Sequence, residues 1–337
     1  LTLLPVDEDA NLGGDLDITE VVTIRGLGED FIWWDNLATP EVEALEVFND
    51  PTGFPRTFTE DDLPDVVVEM GIGDAATLGD GDRVFDIIGT LPGSPPGLSR
   101  SEKGAILQYT FENLGIVGGD AFCEVTPPDS FCQAGAGGIN AVSLDAIAVH
   151  RVALFESSAG CSGPCGTINN GAALYAEDAS DLRVSESVIA SNVASCAGEP
   201  CSTGAILLHL TGLSSARSEM SHTLVADNLL SCSTEDCRAG QVVSLRGIEQ
   251  RIQQTVVTGN ETDCSMDGAD CSVGALMQLG FFVPPICNDS RCLLHVQDVD
   301  LSDNRNTCEG FECVISPLIL GLDRKSTRLN SSHVKRS

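Results

Sequence analysis

With 337 residues, 34 glycines, only 5% aromatic residues and a formal net charge of −32, the chain is longer than one ordinary globular core and short of the large side chains such a core needs. An elongated repeat array, which grows without enlarging its core, fits these values better than a compact domain. The charge makes nucleic acid and anionic lipid poor partners and suits cations, basic partners or a salty medium.

The first residues of note are Asp7, Asp9 and Asn11, which alternate as in an EF-hand loop. Leu12 stands where that loop needs glycine and Ile18 where it needs a bidentate glutamate, so they are weak calcium candidates and nothing else in the chain implies a cofactor. Strand signals follow in GDLDITEVVTIRG, from Gly14 to Gly26, and in GDRVFDIIG, from Gly81 to Gly89. A segment at about 31–81 interrupts them, in which EVEALEVF suggests a short helix and VVVEMGIG a strand.

Beyond residue 120 the cysteines begin. All 14 fall in close pairs: Cys123 and Cys132, Cys161 and Cys165, Cys196 and Cys201, Cys232 and Cys237, Cys264 and Cys271, Cys287 and Cys292, Cys308 and Cys313. Structural zinc favours Cys-x2-4-Cys joined to a second pair or to histidines. His150, His209, His222 and His295 keep no fixed offset from the pairs, so disulfides and an oxidising, extracellular compartment are the expectation. Pairing within each loop is the simplest connectivity, while rungs about 4.8 Å apart would also permit bonds between adjacent coils.

The pairs alternate with apolar runs that end in asparagine: VSESVIASN at Asn192, MSHTLVADN at Asn228, IQQTVVTGN at Asn260 and VQDVDLSDN at Asn304, at intervals of 36, 32 and 44 residues. After the pairs the chain resumes at Gly171, Gly204, Gly240 and Gly274 with another apolar run. Such periods mean a solenoid. Short runs of Val, Ile, Leu and Thr between Gly, Asn and Ser mean strands, and a propeller would want more aromatics. Each coil is therefore expected to hold a strand opening at Gly, a turn, a second alternating strand, a short third strand ending at Asn, and a loop carrying the cysteines. The asparagines are expected at corners, tolerating left-handed backbone and bonding one another across rungs. Cys287 and Cys292 account for the 44-residue interval as an extra stapled loop.

The two N-terminal strand stretches, and more loosely the repeats from about Gly137, resemble bacterial right-handed β-helix surface proteins of the CSLREA-domain kind, akin in architecture to polymorphic outer-membrane proteins. The naming motif and the usual C-terminal anchor segment are not seen, and stapled loops replace the commoner Gly- and Asn-rich ones. At the other end, Asp323 to His333 resembles a translated sequencing adapter. Residues 323–337 are read as a non-native, disordered tail, without which Lys+Arg falls to 13, Asp+Glu to 49 and the net charge to −36.

The expected protein is thus all-β: a single right-handed parallel β-helix over residues 1–322 with disulfide-stapled loops. Residues 1–120 form N-terminal rungs around the inserted segment and 121–322 the cysteine-paired repeats. No apolar run reaches the roughly 18 residues of a membrane span. For function, the resemblance implies a secreted or surface-displayed protein with a binding, adhesive or structural role, its partners glycans or cell-surface proteins. The rival is a carbohydrate-active enzyme such as a polysaccharide lyase, which would need clustered carboxylates or calcium with a basic residue. The only repeated basic positions, Arg183 and Arg251, each lie nine residues before a corner Asn, and the reading preferred for them is charge pairing on an acidic surface. A Gly-x-Ser-x-Gly context is absent.

Overall fold

The computed structural model describes residues 16–18, 22–28, 60, 63–69, 84–88, 108–124, 136–142, 144–162, 171–197, 201–210, 216–233, 237–265, 270–274, 276–280, 293–309, 312–315 and 319–321. The candidates Asp7, Asp9 and Asn11, the cysteines Cys132, Cys165, Cys287 and Cys292, the EVEALEVF stretch and the adapter-like tail lie outside them.

The described chain is all-β and forms a parallel solenoid. Successive coils stack their strands into walls, and every pairing between them is parallel. The first wall has eight strands, from Leu16–Ile18 through Gly171–Glu177, Ala205–Leu210, Gln241–Arg246 and Met277–Gly280 to Ile319–Gly321. A ten-stranded sheet supplies two walls, because its long strands, such as Ala146–Phe155 and Glu249–Thr258, bend midway. In two coils the bend separates the arms as Asp181–Ser185 from Val188–Ala190 and Arg217–Ser221 from Leu224–Ala226. These arms are the second and third walls. A six-stranded fourth wall includes Ser158–Ser162, Val193–Ala197 and Leu229–Cys232, and a four-stranded fifth wall runs from Cys201–Ser202 to Glu312–Ile315.

The bends have a common cause. Asn113, Arg151, Glu186, His222, Gln254 and Asp298 occupy equivalent positions between the second and third walls, and all have φ between 46° and 58°. Five residues later, between the third and fourth walls, Gly118, Glu156, Ser191, Asp227, Gly259 and Asp303 are again left-handed. A left-handed residue reverses the pleat and turns the strand, so two of them five residues apart leave room for one three-residue wall. The asparagine corners are thereby corrected by one position. The left-handed residue precedes each Asn, and Asn192, Asn228 and Asn260 are themselves buried inside the coil.

Inside, equivalent side chains stack. The first wall contributes Phe85, Ile139, Leu174, Leu207, Val243 and Met277 in one column, and the third wall Ile116, Leu154, Ile189, Val225 and Val257 in another. Each such side chain contributes about 1.5–3 kcal/mol on leaving water, which makes these columns the main support of the stack. Phe85 also meets Phe111 edge-on, with ring centroids 5.0 Å apart. The outward side of the third wall is buried as well: Val117, Phe155, Val188, Ala190, Leu224, Ala226 and Val256 form a second apolar layer against which Leu63 packs.

Within the interruption expected at about 31–81, the described residues lie at the bend of the uppermost described coil. Gly26 N–H donates to Glu112 O at 2.9 Å and Gly115 N–H to Val66 O at 2.8 Å, so the chain leaves the wall after Gly26 and is back in it at Val66. A Cβ on Gly28 would lie 2.6 Å from that of Asp65, which puts the two ends of the departure side by side. The strand expected in VVVEMGIG is present as Val67–Glu69, paired with residues 115–117.

The cysteines are not carried on loops outside the wall. Cys123, Cys161, Cys196, Cys232, Cys264 and Cys308 stand in register on the fourth wall. Cys201, Cys237, Cys271 and Cys313 stand in register on the fifth. The segment after each Asn alternates with period two, as in Val193–Ala197 and Leu229–Cys232, and so pairs as strand rather than looping away.

Candidate functional site

The buried asparagines form a continuous ladder. Asn192 donates to Asn228 Oδ1 from both its backbone N–H and Nδ2, each at 2.9 Å. Asn228 does the same to Asn260 at 3.1 and 2.8 Å, and Asn260 to Asn304 at 3.1 and 2.9 Å. Each Nδ2 also reaches a carbonyl of the preceding rung: Leu154 O at 3.0 Å, Ile189 O and Val225 O at 2.9 Å, Val257 O at 2.7 Å. Each amide thus bonds both its neighbour in the ladder and a backbone carbonyl.

A second polar column follows the first bend. Ser187, Thr223 and Thr255, all buried, donate to the carbonyls of Ser185, Ser221 and Gln253 at 2.7–2.9 Å. Sequence reading missed it, although each hydroxyl lies five residues before a corner Asn and that fixed offset was available.

On the first wall His209 is fully buried in an otherwise apolar column. Its Nε2 lies 3.0 Å from Ala179 O and its Nδ1 2.6 Å from Ser218 Oγ. The carbonyl can only accept, so Nε2 carries the proton and Nδ1 accepts from the serine hydroxyl. Burial lowers the imidazole pKa to about 4, which keeps it neutral and inside the wall. It is a packing histidine, not an exposed base.

The outer face of the second wall carries the charge. Register places Asp181, Arg217 and Glu249 in one column and Arg183, Glu219 and Arg251 in the next, so signs alternate both along and across the strands. Arg183 bonds Asp181 at 2.7 Å, Arg251 bonds Glu249 at 2.7 Å and Arg217 reaches Glu249 at 3.1 Å. The hydrogen bond that Arg183 donates to Asp181 raises the Arg183 pKa above its usual value, and the Asp181 charge adds to it. The arginine side chains remain 55%, 62% and 47% exposed. Beside them His150 contacts Ser185 at 3.0 Å, and His295 lies in the column below Arg251.

Arg183 and Arg251 are thus brought into one column, separated by Glu219, and both are ion-paired as the acidic surface led one to expect. Guanidinium cannot act as a general acid or base near neutral pH, whereas rigid pairs spaced by the sheet can hydrogen-bond a polar ligand laid along the wall. The signal missed in sequence is the opposite-charge i, i+2 pair in three coils: Asp181 with Arg183, Arg217 with Glu219, Glu249 with Arg251.

Among the described residues no group of three or more His, Cys, Asp or Glu side chains could hold a metal ion, and no helix is long and apolar enough to cross a membrane. No family model matches the chain, and neither a curated protein nor a solved structure matches it.

Proposed function

We propose that this chain belongs to an extracellular or surface-displayed right-handed parallel β-helix protein, stapled by disulfides within each coil, with a binding, adhesive or structural role. The two in-register cysteine columns carry the reading. One ends the fourth wall and the other opens the fifth, so a bond between them closes the turn of its own coil. Cys196, Cys232 and Cys264 are buried. Closing a six-residue turn contributes about 2 kcal/mol in the chain-entropy model, and bonds of this kind persist in oxidising compartments.

Right-handedness follows the strong preference of parallel crossover connections. The resemblance of the N-terminal stretches to CSLREA-type surface proteins supports surface display. Contact with glycans or cell-surface proteins is assigned to the outer face of the second wall, where exposed guanidinium and carboxylate groups lie at sheet spacing.

Peptide mapping without reduction tests the staples. The expected products join Cys196 to Cys201, Cys232 to Cys237 and Cys264 to Cys271. Free thiols, or Cys196 joined to Cys232, would overturn the connectivity. A glycan array read beside an assay for unsaturated sugar products tests the role: binding without turnover is expected, and product absorbance would make the protein a lyase.

A further inference from the structure

Arg246 ends a first-wall strand, and Ser244 lies two residues before it, so both project from the outer face of that wall. In the next coil Gln278 lies below Ser244 and Gly280 below Arg246.

Two observations at Arg246 and Ser244 are independent of each other. The described side chains of Arg25, Arg151, Arg183, Arg217, Arg251 and Arg305 each pair with a carboxylate. The partly buried Arg246 guanidinium makes no ion pair or hydrogen bond among the described residues, in a chain with 50 acidic residues, and burial lowers its pKa with no charge opposing the shift. Ser244, fully buried, has an Oγ without a hydrogen-bond partner. An unpaired desolvated cation beside an unsatisfied hydroxyl costs stability and earns nothing within the fold.

We propose that Arg246, Ser244 and Gln278 form a binding site for a single carboxylate group on the outer face of the first wall. A carboxylate accepts two parallel N–H bonds from a guanidinium fork. It leaves a lone pair for the Ser244 hydroxyl and for the Gln278 amide, and Gly280 puts no side chain in the position below the guanidinium. The charge of the host selects for one negative charge. One arginine neutralises a monovalent anion, whereas a divalent one would carry surplus charge into the field of a chain at −32.

Acetate, at constant ionic strength, is the probe, and sulfate its divalent counterpart. The readout is the Arg246 Nε–H resonance, assigned by its loss in Arg246→Met. Saturable movement with acetate is expected, with a several-fold weaker response to sulfate. Ser244→Ala should weaken the acetate response by about five- to tenfold, and Arg305→Gln, on the fourth wall, should leave it unchanged. A non-saturating shift, or sulfate acting as well as acetate, would overturn the assignment. Melting without ligand is the second measurement. Arg246→Met should melt at or above the parent, since it removes an unpaired, partly buried charge, and a fall of several degrees would make Arg246 a packing residue and refute the site.

Discussion

After the first left-handed bend, the hydroxyls of Ser187, Thr223 and Thr255 turn back onto carbonyls of their own rung. After the second, the amides of Asn192, Asn228 and Asn260 reach the next rung and the preceding one together. Ser187 alone among the hydroxyls also accepts from another rung, at 3.2 Å from Val152 N–H. The difference is one of valence. A hydroxyl has one hydrogen and satisfies one carbonyl, whereas a primary amide has two donors and an acceptor and can stitch three coils. Local bonding at one bend shapes the strand, and ladder bonding at the other sets the vertical spacing.

Breaking the ladder should therefore cost most. Asn228→Ala removes the acceptor for two Asn192 donors and leaves buried groups unsatisfied, so a loss of about 3 kcal/mol or more is expected in denaturant unfolding. If Asn228→Ala cost no more than a hydroxyl deletion at the first bend, the distinction between the corners would collapse.

The junction between the first and second walls adds a titratable bond to the set. His209 has its pKa lowered to about 4 in the folded state from an ordinary 6.5. The unfolded chain therefore binds the proton more readily, and stability is full above pH 6.5 and lost as pH falls toward 4. The loss amounts to about 3 kcal/mol at most. Comparing unfolding at pH 7 and pH 4 in the parent and in His209→Gln isolates it, because the variant should lack this part of the slope.

Gly259 sharpens the comparison within the second bend. It has φ +65°, and a Cβ there would lie 2.2 Å from Asp227 Oδ1 of the rung above. Gly259→Ala should lower stability by about 1–2 kcal/mol, measurable as a lower melting temperature. The smallest effect belongs to the first bend, where Thr223→Val keeps the shape and loses one hydroxyl–carbonyl bond. About 1 kcal/mol is expected, and a larger loss would mean that the hydroxyl column also supports the stack.

The ladder was legible because asparagine is rare enough inside strands for intervals of 36, 32 and 44 residues to stand out. The bend itself was not, since Ser191, Asp227, Gly259 and Asp303 have no one side chain in common, only backbone conformation. The same holds at the first bend, where Arg151, Glu186, His222 and Gln254 look like ordinary surface residues. The fourth wall was misread as loop because serine and cysteine there resemble turn chemistry. It is the alternation of Val193–Ala197, a pattern only five residues long, that makes it strand. The charged face lay outside a reading that looked for repeated residues, since its order lies in alternation of sign between rungs: Arg183 above Glu219 above Arg251. The Arg246 site depends on the absence of a partner, which no spacing reveals.

The five-residue separation of the bends holds in six of the described coils, from Asn113 and Gly118 to Asp298 and Asp303, while ladder steps span 36, 32 and 44 residues. Every change in coil length is thus absorbed elsewhere in the circuit. In engineering terms, the third wall is a fixed gauge and the turns beyond it are sockets of free length. A foreign peptide placed between the fourth and fifth walls, or between the first and second, would be displayed at a chosen height without altering the register of any other coil.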